Sequence, residues 1–284
     1  MQRILVLLIG ACLLAAACAL PVGWNQSTAL GAPPSQSIRL PYPTLDGEST
    51  QNVGDLYLPS HVQGQAPLIV LFHGGAWRSH IARSSTSRLA RTLTEHGFAV
   101  YNVEYRRIGA GGSWRKTLDD AAAAADFATA LSVLYPQVSR SVFLVGHSSG
   151  GQLAVWAAQH MRLRPAAVIA ISAPLALTVA ARNGDRNVAA FLGGSPDQQP
   201  QRYSSADPAA IGCPRVPIVA VHGTADRTVP ISNVRAFMSR VRCPGARVRL
   251  VEVPGANHIA LISPRSPAFS TTLNVIETTT RRWR

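Results

Sequence analysis

The stretch Val142-Phe143-Leu144-Val145-Gly146-His147-Ser148-Ser149-Gly150-Gly151 decides the fold. It opens with an apolar run typical of a strand that is buried on both faces. A G-x-S-x-G turn follows, and a helical pattern then covers 150–161. Glycine is needed at both ends of this turn because side chains there would collide with neighbouring backbone. The stretch therefore predicts a strand, a sharp turn and a helix that together lift the Ser148 hydroxyl clear of the sheet as a nucleophile.

Apolar runs and helical patterns alternate on both sides of this stretch. The apolar runs lie at 68–72, 98–103, 142–145, 167–171, 218–221 and 248–253. The helical patterns lie at 84–96, 118–134, 150–161, 232–241 and 271–282. Two shorter strand candidates, 37–40 and 55–58, suggest a hairpin before the first run. The alternation predicts one α/β domain over 37–284, with a mostly parallel central sheet and helices on both faces.

The stretch 174–214 breaks this alternation. It contains Asn183-Gly184-Asp185 and Gly193-Gly194-Ser195-Pro196, which are turn signals, and a short helical pattern around 188–192. A long insertion between two sheet elements is a natural place for a cover over a site. We expect a small lid insertion here.

The N-terminus predicts export. One arginine, Arg3, precedes an uncharged apolar run over 4–17, which is typical of a signal peptide. Ala17-Cys18-Ala19 fits ordinary cleavage after residue 19. Alternatively, Leu14-Ala15-Ala16-Ala17-Cys18 resembles a lipoprotein signal, so that residues 1–17 are removed and Cys18 is lipidated. Residues 20–36 are rich in Pro, Gly, Ser and Ala and predict a linker.

Two cysteines, Cys213 and Cys243, lie in the body of the chain. In an exported protein such a pair suggests one disulfide. The alternative is two separate buried thiols.

The chain is strongly basic, with a formal net charge of +13, and Lys116 is its only lysine. A nucleic-acid-binding protein is expected to gather its basic residues on one face beside a binding motif. The arginines are instead spread along the chain, apart from the tail at 281–284. This distribution argues against nucleic acid and fits a surface that works near an anionic envelope or polymer. Hydrophobic residues make up 47% of the chain, which excludes a disordered protein.

A serine nucleophile needs a base, and the base needs an acid that orients it. His258, in Gly255-Ala256-Asn257-His258, follows the last apolar run and is the predicted base. Asp226, in His222-Gly223-Thr224-Ala225-Asp226, follows the run at 218–221 and is the predicted acid. The order Ser148, Asp226, His258 is the order that a G-x-S-x-G hydrolase requires.

The stretch His73-Gly74-Gly75-Ala76-Trp77 follows the apolar run at 68–72. It matches the loop type that supplies backbone N–H groups to an oxyanion. The predicted donors are the amides of Gly75, Ala76 and Ser149. His73 is interpreted as a residue that fixes this loop, and His147 as a structural residue of the elbow. Trp77 is a candidate for substrate binding, either lining an acyl pocket or packing under the loop.

No metal or cofactor motif appears in the sequence. H-E-x-x-H, a close Cys/His cluster, a phosphate loop and a dinucleotide fingerprint are all missing. The chemistry is therefore expected to rest on side chains and backbone amides alone, with no cofactor and no metal.

Taken together, HGGAW at 73–77, GHSSGG at 146–151, HGTADRTVP at 222–230 and GANHIAL at 255–261 resemble a known group. This group is the bacterial α/β-hydrolases of the esterase/lipase, BD-FAE-like and hormone-sensitive-lipase-like type. Tyr105-Arg106-Arg107, Asp119-Asp120 and Phe191-Leu192-Gly193-Gly194-Ser195 also resemble it. Ala76 stands where the lipase-like branch usually has a third glycine, which favours the HGGxW pattern shared with aryl formamidases. The resemblance implies the α/β-hydrolase fold and hydrolysis of esters or related acyl compounds without a cofactor.

The main functional hypothesis is an exported serine carboxylesterase that cleaves small acyl esters through an acyl-enzyme intermediate. One alternative is an amide-type hydrolase such as an aryl formamidase. A non-catalytic binding protein on the same fold would be expected to have lost a member of the Ser–Asp–His set. Membrane attachment through a lipidated Cys18 or through the basic surface is a further hypothesis.

Overall fold

An eight-stranded sheet runs through the protein, seen here in a computed structural model that describes residues 37–47 and 49–283. Its strands are β1 (Ile38–Pro41), β2 (Val53–Tyr57), β3 (Ala66–Phe72), β4 (Ala99–Val103), β5 (Val138–His147), β6 (Ala167–Ile171), β7 (Ile218–Gly223) and β8 (Val248–Val253). Their order across the sheet is β1-β2-β4-β3-β5-β6-β7-β8. β2 runs antiparallel to both of its neighbours, and all pairs from β4 to β8 are parallel. The predicted mostly parallel α/β architecture is confirmed.

Eight α-helices connect or flank these strands within the described residues. They are α1 (Ser87–Glu95), α2 (Trp114–Leu134), α3 (Ser149–His160), α4 (Leu177–Arg182), α5 (Arg186–Leu192), α6 (Pro200–Ala206), α7 (Ile231–Arg240) and α8 (Phe269–Arg282). The helices fall into two groups, and each group packs into its own hydrophobic core. One core packs α2, α3 and α7 on one face of the sheet, and the other packs α1 and α8 on the opposite face. The central strands are apolar throughout because both of their faces are covered in this way.

Two elements, α2 and β5, each begin four residues earlier than the sequence patterns predict. α2 starts at Trp114 because the hydroxyl of Ser113 accepts a hydrogen bond from Lys116 N and caps the first turn. β5 starts at Val138, although its first half alternates between buried and exposed residues. That half pairs with only one neighbour, at the start of β3, so it lacks the continuous apolar run of a strand covered on both faces.

The predicted lid insertion forms three short helices, α4 to α6, between β6 and β7. Phe191, Leu192 and Tyr203 from this insertion are buried in the larger core. Asp207 holds its two ends together: its carboxylate accepts hydrogen bonds from Leu177 N at 2.8 Å and from Ala209 N at 3.0 Å. The insertion is therefore a packed layer over the sheet edge and not a loose loop.

The structure joins Cys213 and Cys243 in a disulfide, with their Cα atoms 6.0 Å apart. The bridge ties the segment before β7 to the segment after α7. In the part of the chain that is described, no helix has the length and apolar character needed to cross a bilayer. The predicted signal at 1–19, the linker at 20–36 and Cys18 lie outside the described residues.

Candidate active site

Ser148 sits at the tip of the sharp turn between β5 and α3. Its backbone has φ 54° and ψ −127°, a conformation that side-chain-bearing residues rarely adopt. Such a residue stores roughly 1–3 kcal/mol and persists only where its surroundings hold it. Here Ser148 N donates a hydrogen bond to the carbonyl of Ile171 at the end of β6. The turn thus presents the serine at the carboxyl edge of the parallel strands.

The glycines of this turn allow backbone segments to approach closely. A Cβ atom at Gly146 would overlap the backbone of Gly150, and one at Gly150 would overlap the carbonyl oxygens of Phe72 and His73. Gly74 lies against the other side of the elbow, where a Cβ would come within 3.0 Å of Ser148 Cβ. The loop after β3 and the elbow after β5 are therefore packed directly against each other.

Asp226 and His258 meet beside this elbow. Nδ1–H of His258 donates to Asp226 Oδ2 at 2.8 Å, which leaves Nε2 of the imidazole free to act as a base. The second carboxylate oxygen of Asp226 accepts N–H bonds from Thr228 and Val229, both at 2.9 Å. Burial alone would raise the pKa of the Asp226 carboxyl, but the bonds from His258 and Val229 outweigh it and hold this pKa below its usual value. Asp226 is therefore a buried, fixed anion.

His147 links the loop of His258 to the elbow that carries Ser148. Its Nε2–H donates to the His258 carbonyl at 2.9 Å, and the two rings lie 4.6 Å apart. Burial, and then the neighbouring His258, lower the pKa of His147 to about 3, so its ring is neutral. Within the described residues the Ser148 hydroxyl makes no hydrogen bond to His258. Such bonds are often formed only when substrate is present.

The predicted oxyanion loop has an unusual backbone. Gly75, Ala76 and Trp77 all have positive φ, at 122°, 52° and 57°. Consecutive residues in this region turn their N–H groups to one side of the loop. In the described part of the chain, the amides of Gly75, Ala76 and Ser149 donate to no protein acceptor. All three predicted donors are therefore available to a ligand near Ser148.

A buried carboxylate, Glu104, supports this loop from behind. His73 Nε2 lies 2.8 Å from Glu104 Oε1, and His73 Nδ1 lies 2.6 Å from the Gly74 carbonyl. The His73 ring stacks on Tyr105, whose hydroxyl donates to the His73 carbonyl. Burial raises the pKa of Glu104, but the contact with His73, the hydrogen bond from Arg83 N and the charge of Arg107 together outweigh it and leave that pKa below its usual value. These contacts agree with the interpretation of His73 as a loop-fixing residue.

The two arginines after Tyr105 extend this support. Arg106 forms paired hydrogen bonds with Asp120 at 2.6 and 2.9 Å and with Asp46 at 2.7 and 2.8 Å. Arg107 lies 3.3 Å from Glu104 and also bonds to the carbonyls of Ser79 and Ile81. Arg106 therefore holds the segment after β4 against α2, through Asp120. Arg107 holds it against the stretch that follows the predicted oxyanion loop, through Ser79 and Ile81.

Trp77 is buried, with 2% of its surface exposed. Its indole N–H donates to Gln152 Oε1 at 3.0 Å, and its ring stacks on Phe191 of α5 at 4.5 Å. Gln152 in turn donates to the carbonyl of Ala206 in the lid. These contacts match the packing alternative, and a role of Trp77 in substrate binding stays a prediction.

Three residues of this site were not singled out by the sequence. Glu104 directly follows the buried strand β4 at the carboxyl edge of the sheet. An acid in that position could have been recognised from the sequence as a candidate site residue. His222 donates to the Val229 carbonyl at 2.8 Å and holds the loop around Asp226. Gln152 carries no signal in the sequence, because its role depends on which loops meet it. In the described chain no three His, Cys, Asp or Glu side chains group so as to hold a metal ion.

The comparisons with known proteins agree with this geometry. The BD-FAE family model matches residues 54–241, which is well over half of the chain. A probable isoprenylcysteine alpha-carbonyl methylesterase, ICMEL1 of Oryza sativa subsp. japonica, is 26% identical over 243 residues, covering 76% of this chain and 56% of its own. Kynurenine formamidase of Danio rerio is 31% identical over 117 residues, covering 40% and 36%. The chain spans at most a little over half the length of these curated relatives.

Among solved structures, a truncated form of a carbohydrate esterase from gut microbiota resembles the whole described domain. Its TM-score is 0.73, with 18% identity, and the match covers 88% of this chain and 99% of that one. At this identity the likeness shows the fold, which is the α/β-hydrolase fold. With the family match, it establishes that this chain is a member of the BD-FAE family of α/β-hydrolases.

Proposed function

We propose that this protein is an exported serine carboxylesterase that hydrolyses small esters through an acyl-enzyme intermediate. The observation that carries the proposal is the 2.8 Å bond between His258 Nδ1 and Asp226, placed beside a strained serine at the strand ends. A buried acid, an oriented imidazole and a serine at the carboxyl edge of the strands are the parts that acyl transfer needs.

In the proposed reaction, Ser148 Oγ attacks the ester carbonyl while His258 Nε2 takes its proton. The resulting imidazolium is stabilised by the Asp226 carboxylate, whose low pKa keeps it ionised at neutral pH. The alcohol leaves with the proton from His258, and Ser148 keeps the acyl group. Water, activated by the same imidazole, then releases the acid.

The negative charge that develops on the carbonyl oxygen requires donors that are already in place. The amides of Gly75, Ala76 and Ser149 are suited to this role because they have no other acceptor among the described residues. Each such donor typically contributes on the order of 3 kcal/mol to transition-state stabilisation. The bonds of Glu104 and His73 support these amides in position before substrate arrives.

We infer that this site prefers short acyl groups to long ones. The buried stack of Trp77 on Phe191 fills the space between the oxyanion loop and the lid. The hydrogen bonds of Gln152 to Trp77 and to Ala206 hold this wall together. The relatives named as esterases are consistent with an ester substrate.

A fluorophosphonate probe tests the nucleophile. We expect the purified protein to be labelled and to hydrolyse p-nitrophenyl acetate, and Ser148→Ala to lose both properties while keeping its melting temperature. Ser149→Ala, which keeps its backbone amide and changes a neighbouring side chain, is the matched control and should still be labelled. Labelling that persists in Ser148→Ala would refute the assignment.

An aryl formamidase is the second candidate, favoured by the 31% identity to kynurenine formamidase over 117 residues and by Ala76 in the HGGAW loop. Parallel measurements of kcat/KM on p-nitrophenyl acetate and on N-formylkynurenine separate the two. A higher value for the formamide would replace the carboxylesterase proposal.

Export rests on the N-terminal pattern of one arginine followed by an apolar run. Expression of the full chain with fractionation and N-terminal sequencing tests it. A mature protein that begins after residue 19, or at a lipidated Cys18, agrees with export. A protein that retains residues 1–17 in the cytoplasmic fraction contradicts it.

A further inference from the structure

Four neighbouring strands each carry an exposed arginine at their start. Arg140 lies near the start of β5, Arg164 and Arg215 lie three residues before β6 and β7, and Arg247 directly precedes β8. We call these four residues the arginine row. Since β5 to β8 are adjacent and parallel, the row follows one edge of the sheet. This edge is opposite the carboxyl edge, which carries the candidate active site.

Counted from the strand registers, the four residues of the row lie within about three residues of one another along the strand direction. Phe143 pairs with Ala167, and Arg140 and Arg164 each lie three residues before this pair, Arg164 in the loop that leads into β6. Arg215 likewise lies three residues before Ile218, and Arg247 lies directly before Val248, the β8 partner of Ile218. With about 4.8 Å between strands, the row spans roughly 15 Å across the sheet. Arginines that are far apart in the sequence thus form one basic edge in space.

None of the four makes an ion pair within the described residues, and all four are exposed. Some arginines elsewhere are paired: Arg83 and Arg106 bind buried carboxylates, and Arg235 binds Glu252. The charges of the arginine row are therefore not neutralised by this protein, and they are available to an anionic partner.

Apolar side chains lie among these charges. Leu163, between Arg162 and Arg164, is 61% exposed. Trp283, at the end of α8, has the guanidinium of Arg247 over its ring at 4.4 Å and that of Arg282 at 5.2 Å. Arginine, tryptophan and exposed leucine together are typical of a surface that meets the boundary between lipid headgroups and acyl chains. A soluble polyanion needs the charges but has no use for an exposed leucine.

We propose that this basic edge, the arginine row with Leu163 and Trp283, docks on a membrane surface rich in anionic lipid headgroups. The guanidinium groups bind lipid phosphates, for which arginine has a suitable planar geometry. Leu163 and the indole of Trp283 enter the headgroup boundary. The carboxyl edge then faces away from the membrane, towards water.

Vesicle flotation with the full chain tests this proposal. The vesicles are phosphatidylcholine alone, or phosphatidylcholine mixed with phosphatidylglycerol. The row variant carries Arg140→Gln, Arg164→Gln, Arg215→Gln and Arg247→Gln. The matched control loses the same charge from exposed arginines elsewhere, as Arg88→Gln, Arg91→Gln, Arg186→Gln and Arg265→Gln. Both variants keep the apolar N-terminus, so any anchoring by that segment is common to all samples.

We expect the row variant to bind the anionic vesicles at least about tenfold more weakly than the wild type, and the control to change far less. The difference should shrink as salt is raised, because salt screens exposed charges. On phosphatidylcholine alone, all three proteins should bind alike. If the row variant and the control bind anionic vesicles equally, the proposal is overturned.

Leu163→Ser distinguishes a membrane from a soluble polyanion. On a membrane it should weaken vesicle binding without changing retention on heparin. If Leu163→Ser binds vesicles like the wild type, or if the wild type binds a nucleic-acid duplex more tightly than anionic vesicles, the edge serves a soluble polyanion and the proposal is wrong.

Discussion

The Nε2–H group of His147 donates to the carbonyl of His258 at 2.9 Å, so the residue before the proposed nucleophile Ser148 holds the loop of the proposed base. The bond ties the elbow after β5 to the loop after β8, across the intervening ends of β6 and β7. It also determines the tautomer of His147, because a carbonyl oxygen can only accept. A neutral, buried imidazole next to His258 has consequences for stability that can be measured.

Stability should fall as the pH is lowered, in part because of His147. Its pKa in the folded protein is about 3, below its usual value of about 6.5. Between these values the unfolded chain binds a proton that the folded chain does not, so stability decreases towards acid. The free energy of unfolding should therefore be lower at about pH 5 than at about pH 7. We expect His147→Gln to reduce this difference by about 2 kcal/mol. Urea denaturation of both proteins at the two pH values measures this. An equal pH dependence in both proteins would contradict it.

Asp226→Asn should lower kcat by a factor of about 10⁴, because an amide cannot hold the same imidazole tautomer or stabilise its charged form. Asp197→Asn, at an exposed acid of the lid region, is the control and should leave kcat unchanged. Steady-state hydrolysis of p-nitrophenyl acetate measures both. A loss of less than tenfold in Asp226→Asn would point to a different acid.

Gly74→Ala should reduce kcat/KM by about 10²-fold with a small effect on KM. The added Cβ would lie 3.0 Å from both Ser148 Cβ and His147 Nδ1, and so would push the oxyanion loop away from the elbow. Displacements of about 1 Å have effects of this size on catalysis. Melting temperatures measured in parallel show whether the variant is folded. An active, folded Gly74→Ala would mean that this loop does not contact the reacting atoms.

Phe191→Ala should shift the preference towards longer acyl chains, because it removes the ring that stacks on Trp77. The ratio of kcat/KM for p-nitrophenyl butyrate to that for the acetate is expected to rise. Both Phe191→Ala and the control Leu192→Ala should destabilise the fold by about 2–5 kcal/mol, since both side chains are buried. Only Phe191→Ala should change the ratio. An equal change in both variants would attribute it to loosening of the lid.

Reduction of the Cys213–Cys243 disulfide should lower stability by about 3–4 kcal/mol, since the bridge closes a loop of 30 residues. The melting temperature should then fall by roughly 10 °C in a protein of this size. A double variant, Cys213→Ser with Cys243→Ser, should melt at the reduced temperature and be insensitive to dithiothreitol. If the wild type is equally insensitive, the bridge is not formed in solution.

Much of the fold could be predicted because its signals are local. The run Val142 to Val145, the glycines at 146 and 150 and the helical pattern after them each follow from the sterics of a few adjacent residues. The insertion at 174–214 was recognisable from its turn signals alone. The order of Ser148, Asp226 and His258 could be predicted because all three follow apolar runs, and parallel strands end at one edge.

The supporting shell could not be predicted in the same way. Glu104 was available as an acid after a strand, but its contacts with His73 and Arg107 depend on β4 lying next to β3. Gln152 bridges Trp77 and Ala206 only because the lid folds back onto α3. These contacts join residues that are distant in the sequence, and no local pattern reports such distances.

The sequence by itself determined the class of fold, the elbow and the choice of candidate nucleophile, acid and base. Only the tertiary structure decided how the charges are distributed. Arg140, Arg164, Arg215 and Arg247 are spread over more than a hundred residues of chain, and the sequence predicted no basic face. The sheet order brings them to one edge because β5 to β8 are neighbours that start at the same end. Strand order is set by packing between distant segments, and it cannot be inferred from the pattern of charges along the chain.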